Sequence, residues 1–282
     1  MKLWKKLAII VPAVIVVGAV AYVLTHSGIG IDKNNLPKFV TANFIDLDKI
    51  FSISKFRSGT GHDFSGGGET CRSMKHYIVP QADSAAREYE KSNDGIPYPP
   101  DGKTDIPIYA PFDGTITQIG EERHPVGKQI FLVPDHANSF TVRLFHVYPV
   151  EGMTAGFIGL GGSHVTAGQK IGVIAAHSDT DVSVQIGTMP WNDTFVSVFD
   201  VMDDSVFAAY QKRGVADRSD LVITKDYRDA NPLKCVSDKT EAFVEDAAAN
   251  ESNREGFDPN YFYLTGYVPP VQIDTNVPKT NQ

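Results

Sequence analysis

Cysteine is scarce in this chain: Cys71 and Cys235 are the only two among 282 residues. Two cysteines cannot build a disulfide-rich scaffold, and their wide separation excludes a zinc ribbon, which needs closely spaced pairs. If the chain is exported, an even number of cysteines favours a single disulfide between them. Two unpaired buried thiols are the alternative.

Basic residues are also in deficit, with 26 Lys and Arg against 34 Asp and Glu. The first 28 residues hold three Lys and no acid, so the remainder carries 23 basic and 34 acidic residues, a formal charge of −11. Such a surface does not attract nucleic acid or anionic lipid, and we expect no nucleic-acid partner. The charge balance favours a cell-surface or periplasmic environment.

Long apolar runs are lacking except for one, the 18 residues 7–24, which contain no charged side chain. This length is just sufficient for a helix that spans a bilayer. Lysines among the first six residues place that end in the cytoplasm and the rest of the chain outside. We therefore predict a single-pass anchor in the cell membrane with an extracytoplasmic body. A secreted protein is the alternative, because residues 19–21 resemble a signal cleavage site.

Residues 106–187 consist of short β-branched runs cut by Gly, Pro and Asp, a pattern that predicts an antiparallel sheet. Within the run 140–147, a period of two places Phe140, Val142 and Leu144 on one face of a strand. His146 follows in the same register. The alternation therefore predicts that this histidine ends an apolar row.

The run 181–186 also alternates, with apolar side chains at 182, 184 and 186 on one face. Three polar side chains share the opposite face: Asp181, Ser183 and Gln185. Because the apolar face is expected to enter the core, the polar row is where the sequence places a candidate site.

These motifs resemble the lysostaphin-type zinc endopeptidases, which cut peptidoglycan cross-links and include many degenerate, non-catalytic members. The matching stretches are residues 61–64 (Gly-His-Asp-Phe), 107–116, 145–146, 165–172 and 181–186. The resemblance covers residues 56–188. It implies a mainly β fold, an antiparallel sheet or barrel-sandwich domain.

Catalytic zinc needs three protein ligands and an open position for water. The family's ligand positions fall here on Gly59, Asp63 and Ser183, so Asp63 is the only retained ligand. The two catalytic histidine positions fall on His146 and Asp181. The resemblance thus implies a lost zinc site, no cofactor, and a cleft lined by Ser183 and Gln185. It also implies that histidines at positions 59 and 183 would restore zinc binding.

A rebuilt metal site is the alternative, because His62 and His177 lie near the implied cleft and carboxylates also bind zinc. Zinc would then be the cofactor. However, His62 and Asp63 are adjacent, and adjacent side chains of a strand point to opposite faces. Both can be ligands only if the strand contains a bulge.

Composition and turn signals divide the chain into five segments: an anchor or signal (1–26), a tether (27–43), the peptidase-like β domain (44–190), a helical extension (191–268) and a flexible tail (269–282). Residues 65–105 form an insertion, which we expect to cover the cleft and to contain a helix at 84–91. In the extension, helical patterns occupy 197–213 and 217–231, and a last strand is predicted at 261–268.

Three functions follow. The first is a membrane-anchored, non-catalytic domain that binds a cell-envelope polymer or protein, or regulates a wall enzyme. The second is an active zinc endopeptidase with an altered ligand set. The third is a biotinyl-lipoyl-like carrier, although Lys170 lies in a Gly-Gln-Lys-Ile turn that differs from the turn such carriers modify.

Overall fold

Antiparallel strands dominate the computed structural model, which describes residues 25–80, 99–122, 126–156, 161–175, 178–187, 194–236 and 258–266, with isolated positions 16, 18, 22, 92 and 243. Within these ranges the strands are β1 Ile50–Ser54, β2 His76–Pro80, β3 Ile106–Tyr109, β4 Gly114–Glu121, β5 Lys128–Pro134, β6 Phe140–Pro149, β7 His164–Val165, β8 Lys170–Ile174, β9 Thr180–Ile186, β10 Phe195–Val196 and β11 Tyr261–Tyr263. The helices are α1 Asp204–Gln211 and α2 Lys225–Ala230, with 3₁₀ turns at Leu47–Lys49, Val198–Val201 and Arg218–Leu221.

The strands join in the order β11-β1-β2-β9-β6-β5-β4-β7, with β10 on β9 and the β3–β8 pair attached to β6. Each pairing between these strands is antiparallel. The mainly β, antiparallel fold expected from the sequence is therefore confirmed.

Strand β2 was not predicted, since the sequence analysis placed residues 65–105 in an insertion. Its residues pair with β1 on one side and β9 on the other, which makes β2 an inner strand of the sheet. The His-Tyr-Ile-Val-Pro sequence suits a strand, but the Gly-rich and Pro-rich flanks hid it. The helix predicted at 84–91 lies outside the described residues.

The C-terminal extension packs on the sheet and shares its core. Phe199, Val206 and Tyr210 belong to the same apolar cluster as Val182 and Val184 of β9. Each helix of the extension begins with a side-chain cap. The Asp203 carboxylate accepts a hydrogen bond from Ser205 N at the start of α1, and Thr224 Oγ1 accepts one from Tyr227 N at the start of α2.

The segment predicted as a tether, 27–43, packs against the domain at its C-terminal end. Phe39 and Val40 lie in the core, and Val40 forms a bridge with Met202. Apolar side chains at the end of this segment therefore anchor it to the extension. Among the described residues, no helix combines the length and the apolar character needed to cross a bilayer. The anchor predicted at 7–24 and the tail 269–282 fall almost wholly outside the described ranges.

The predicted disulfide is confirmed. Cys71 and Cys235 are bonded, with their Cα atoms 5.7 Å apart and 164 positions between them in sequence. The bond joins the loop before β2 to the C-terminal extension. Closing so long a loop restricts the unfolded chain by roughly 5 kcal/mol in a chain-entropy treatment, an upper figure.

Candidate functional site

The polar row of β9 is buried, although its alternation is as predicted. Val182 and Val184 enter the core, while Asp181 and Ser183 face the other way. Yet Asp181 is 0% exposed and Ser183 is 1% exposed. The polar row is thus an interior surface of the protein and not the floor of an open cleft.

Residues 61–75, the covering segment, lie over this row. The Phe64 ring packs against Phe145 of β6 and Phe195 of β10, with ring centres 5.9 and 4.9 Å apart. Met74 joins Phe195 in a second, smaller apolar cluster. Phe64 and Met74 thus attach the covering segment to β6 and β10, while the expectation that residues 65–105 cover a cleft stays a prediction.

Asp63 closes the loop of the covering segment. Its carboxylate accepts hydrogen bonds from Ser65 Oγ at 2.6 Å, Arg72 N at 3.1 Å and Cys71 N at 3.2 Å. Residues 56–64 form isolated bridges and no regular strand, so the strand expected around Asp63 is absent from this described stretch. Both Asp63 oxygens are engaged within the loop.

Lys75, the last residue of the covering segment, places its ammonium group at the centre of the polar row. Lys75 Nζ donates to Asp181 Oδ2 at 2.5 Å and lies 3.4 Å from His62 Nε2. Lys75 is only 3% exposed. Asp181 balances its charge in a region from which water is excluded.

Aromatic rings surround the same ammonium group. Lys75 Nζ lies 4.6 Å from the ring centres of Tyr77 and Phe145, and 5.3 Å from that of Phe64. Such rings stabilise a cation through their negative faces. The Lys75–Asp181 pair is therefore surrounded by aromatic rings and shielded from solvent, with the His62 imidazole beside Lys75.

His146 reaches the site through a β-bulge and not by regular alternation. Its φ is +61°, and the pairing of β6 with β5 shifts register beside it. Leu144 and Val147 are both fully buried in the core, so the apolar row steps past His146. The prediction that His146 ends this apolar row is therefore wrong. Gly127 permits the bulge, because a Cβ there would lie 2.7 Å from the His146 carbonyl carbon.

His146 is surrounded by carboxylates. Its Nδ1 lies 3.1 Å from the Asp179 carbonyl oxygen and 3.6 Å from Asp179 Oδ1, and its backbone N donates to Glu122 Oε1. Burial disfavours the imidazolium, but the hydrogen bond to Asp179 and the charges of Asp181, Asp179 and Glu122 outweigh it and raise the pKa of His146 to about 9. His146 is consequently a cation at neutral pH.

Burial also acts on Asp181 and raises the pKa of its carboxyl group, an effect that the Lys75 charge opposes. Asp181 Oδ1, Ser183 Oγ and Arg143 Nε are buried and have no hydrogen-bond partner within the described part of the chain. The Arg143 guanidinium stacks 4.6 Å from the centre of Phe131 and donates to Gln129 Oε1. The site is thus rich in charge and closed to solvent at Lys75, Asp181 and Ser183.

Of the family positions, His146 and Asp181 converge, whereas Gly59 and Asp63 contact other neighbours. A Cβ at Gly59 would point to Leu233, 3.2 Å from its Cδ1, while Asp63 binds its own loop. Gln185 is half-buried beside β10. His177 lies outside the described residues. Their roles remain predictions.

One group of potential metal ligands forms among the described residues: His146, Asp179 and Asp181, whose ligand atoms lie within 4.8 Å of one another. Zinc requires a neutral imidazole and free carboxylate oxygens. Here Asp181 Oδ2 is bonded to Lys75, and because the pKa of His146 is raised, zinc would have to displace a proton from its imidazole. With Lys75 in this position, the group does not fit a zinc ion.

Comparisons with solved structures return lysostaphin-type peptidases, the family that the sequence resembles. The catalytic domain of lysostaphin from Staphylococcus simulans matches at 15% identity and a TM-score of 0.31, over 52% of this chain and 87% of that domain. Csd3 from Helicobacter pylori matches at 15% identity and a TM-score of 0.35, over 62% of this chain and 39% of the Csd3 chain. A zinc-containing peptidase from Vibrio cholerae matches at 15% identity and a TM-score of 0.34, over 60% of this chain and 41% of that chain. No family model and no curated protein matches the chain.

Sequence reasoning missed Lys75 as a member of the site. A lysine directly before the Val- and Ile-containing strand β2 was its only signal, and most lysines in such positions are solvated. Its neighbour Asp181 lies 106 residues later in the chain. The contact depends on the pairing of β2 with β9, which the sequence analysis did not predict.

Proposed function

We propose that this chain is a lysostaphin-type, peptidase-like domain that lacks metallopeptidase activity and serves as a binding or regulatory module at the cell envelope. One observation carries the proposal: the Lys75 ammonium lies at the centre of the polar row, bonded to Asp181. The side chain of Lys75 thus occupies the place in which a metallopeptidase would hold its metal ion.

Electrostatics supports this reading. A zinc ion bound to Asp181 would lie within a few ångströms of the ammonium of Lys75, and two cations at such distances repel strongly in a medium of low dielectric constant. The covering segment also hides Ser183 and Asp181 from a peptide substrate. Both features oppose hydrolysis and neither opposes binding.

The accessible end of the site is the surface that we assign to binding. The side chains of His146 and Asp179 are 21% and 42% exposed, in contrast to the buried Lys75–Asp181 pair. The His146 imidazolium can donate hydrogen bonds to a polar polymer or a protein, and the Asp179 carboxylate can accept them. The acidic body and the predicted membrane anchor would place this surface outside the cell, facing an envelope component.

The proposal is tested on the purified body of the protein, residues 27–282, at neutral pH. Metal analysis should find well under one zinc per chain, and added zinc should not produce chelator-sensitive cleavage of purified peptidoglycan. Co-sedimentation with the same peptidoglycan should be weakened by His146→Gln and unchanged by the distant control His164→Gln. One tightly bound zinc per chain together with cleavage would overturn the proposal.

An active zinc endopeptidase remains the second candidate because one observation favours it: His146, Asp179 and Asp181 converge within 4.8 Å, and Asp181 Oδ1 has no hydrogen-bond partner among the described residues. For that candidate, Asp181→Ala should abolish zinc binding. The metal analysis therefore decides between the two functions.

A further inference from the structure

The buried Lys75–Asp181 pair differs from an ordinary ion pair in how it is held. Lys75 immediately precedes β2, and Asp181 lies opposite Tyr77 in the β2–β9 register, so two hydrogen-bonded strands fix both backbones. The Lys75 Nζ to Asp181 Oδ2 distance is 2.5 Å, and the two side chains are 4% and 1% exposed. The amine nitrogen and the carboxyl group are thus held in permanent contact, the situation in which an intramolecular reaction is fastest.

Burial favours the uncharged form of the Asp181 carboxyl group and raises its pKa, an effect that the Lys75 charge opposes. Phe64, Tyr77 and Phe145 enclose the ammonium and shield the pair from water, and transfer of one proton within the pair removes both charges from this buried region. Transfer of one proton from the ammonium to the carboxylate leaves an amine and a carboxylic acid. These are the forms in which nitrogen is a nucleophile and the carboxyl carbon an electrophile.

Groups able to move protons lie on both sides of the pair. His62 Nδ1 donates to the Asp63 carbonyl oxygen, which can only accept, so His62 Nε2 carries a lone pair toward Lys75 Nζ at 3.4 Å. On the carboxyl side, His146 and Asp179 approach Asp181 within 4.8 Å. A base therefore faces the nucleophile and an acid faces the leaving oxygen.

From this geometry we infer that Lys75 and Asp181 condense into an intramolecular isopeptide bond that links β9 covalently to the residue before β2. Lys75 Nζ attacks Asp181 Cγ, a nitrogen–carbon bond forms, and one carbon–oxygen bond of the carboxyl group breaks. The ammonium gives up two protons and the carboxylate gives up one oxygen, which leave together as water. The reaction requires no oxidant, reductant or activated donor.

The same chain supplies a control for proximity. Lys128 Nζ and Glu121 Oε1 are 2.6 Å apart, but their side chains are 41% and 78% exposed. Water hydrates both charges and keeps them ionised, so this pair should remain an ion pair. The proposed bond thus depends on burial and on neighbouring acid and base groups, and not on distance alone.

Peptide mapping of the full chain tests the inference. After reduction and alkylation of the disulfide, trypsin should leave Lys75 uncut and release residues 73–87 joined to residues 171–212, lighter than the two peptides together by one water. No link should join Lys128 to Glu121. Lys75→Arg, which keeps the charge but has no amine, and Asp181→Ala should each release the two peptides separately.

Asp181→Asn sharpens the test, because an amide can condense with the same amine and release ammonia in place of water. This variant should yield a linked peptide identical in mass to that of the natural protein. Recovery of the natural chain as a free 73–75 peptide and a free 171–212 peptide would overturn the inference. That result would leave the proposed binding function intact, since the binding function requires only that Lys75 occupy the site and engage Asp181, whether as an ammonium or as an amide.

Discussion

The two faces of the β2–β9 pair are equally buried but chemically opposite. On the core face, His76 lies beside Val182, with Nδ1 2.7 Å from the Ser54 carbonyl oxygen and Nε2 2.8 Å from Ser197 Oγ. On the covered face, Lys75 meets Asp181. Lys75, which precedes β2, and His76, the first residue of β2, therefore enter a charged interior and a neutral core, respectively.

The difference shows that partners, and not burial alone, set the charge state of a buried group. Burial lowers the pKa of His76 to about 4, with only the bond to Ser54 opposing it. Burial also disfavours the charged form of His146, yet carboxylates raise its pKa to about 9. One imidazole is neutral and the other charged at the same pH because of what lies beside them.

We expect the largest effect on stability from removing the disulfide that holds the covering segment over the charged face. Cys71→Ser with Cys235→Ser should lower the free energy of unfolding by roughly 4 to 5 kcal/mol in the chain-entropy treatment, as an upper figure. The comparison predicts a local consequence as well. Hydrogen exchange should quicken in residues 61–75, because the disulfide holds this segment, and should stay unchanged in the β4–β5 hairpin. Equal acceleration in both regions would mean that the disulfide does not act on the cover specifically.

The next effect concerns the charged pair itself. Asp181→Ala leaves the Lys75 ammonium buried without a counterion, and we expect a loss of about 3 to 5 kcal/mol in urea unfolding. The matched control, Glu121→Ala, removes an equally short but exposed pair and should change stability by less than about 1 kcal/mol. Similar losses in the two variants would refute the contrast between a dry pair and a hydrated pair.

A smaller effect separates the two histidines by pH. The pKa of His76 in the folded protein is lowered to about 4, so its contribution to stability is complete above the unfolded value of about 6.5 and is lost as pH falls through about 4. For His146 the folded pKa is raised to about 9, so its contribution is complete below pH about 6.5 and lost as pH rises through about 9. Each amounts to about 3 kcal/mol.

Imidazole NMR signals provide the measurement for this pH contrast. The His76 resonance should titrate near pH 4 and the His146 resonance near pH 9. Coincident midpoints for His76 and His146 would show that the carboxylates near His146 do not control its charge.

The sequence predicted the elements whose pattern is local and regular. Alternation in 181–186 was sufficient to assign the faces of Asp181 and Ser183, and two cysteines were sufficient to pair Cys71 with Cys235. Alternation failed at His146 because a bulge with positive φ inserts a residue into the row, and period-two reasoning contains no signal for a bulge. The site also depends on Lys75, which only the β2–β9 pairing brings to Asp181.

The smallest expected effect tests the family positions directly. The sequence resemblance predicts that Gly59→His with Ser183→His restores a zinc site. The structure leads us to expect no gain, because a side chain at position 59 would point to Leu233 and the Lys75 ammonium would repel the metal.

Ser183→His alone is the matched control, because it places an imidazole on β9 without any change at position 59. Zinc titration calorimetry on the folded proteins should give the same result for the double variant and for this single variant, since a side chain at position 59 would pack against Leu233. One zinc bound per chain by the double variant, but not by the single variant, would mean that position 59 does face Asp63 and Ser183. In that case the covering segment would have to rotate relative to β9, and the Lys75–Asp181 contact would no longer be a fixed feature of the site.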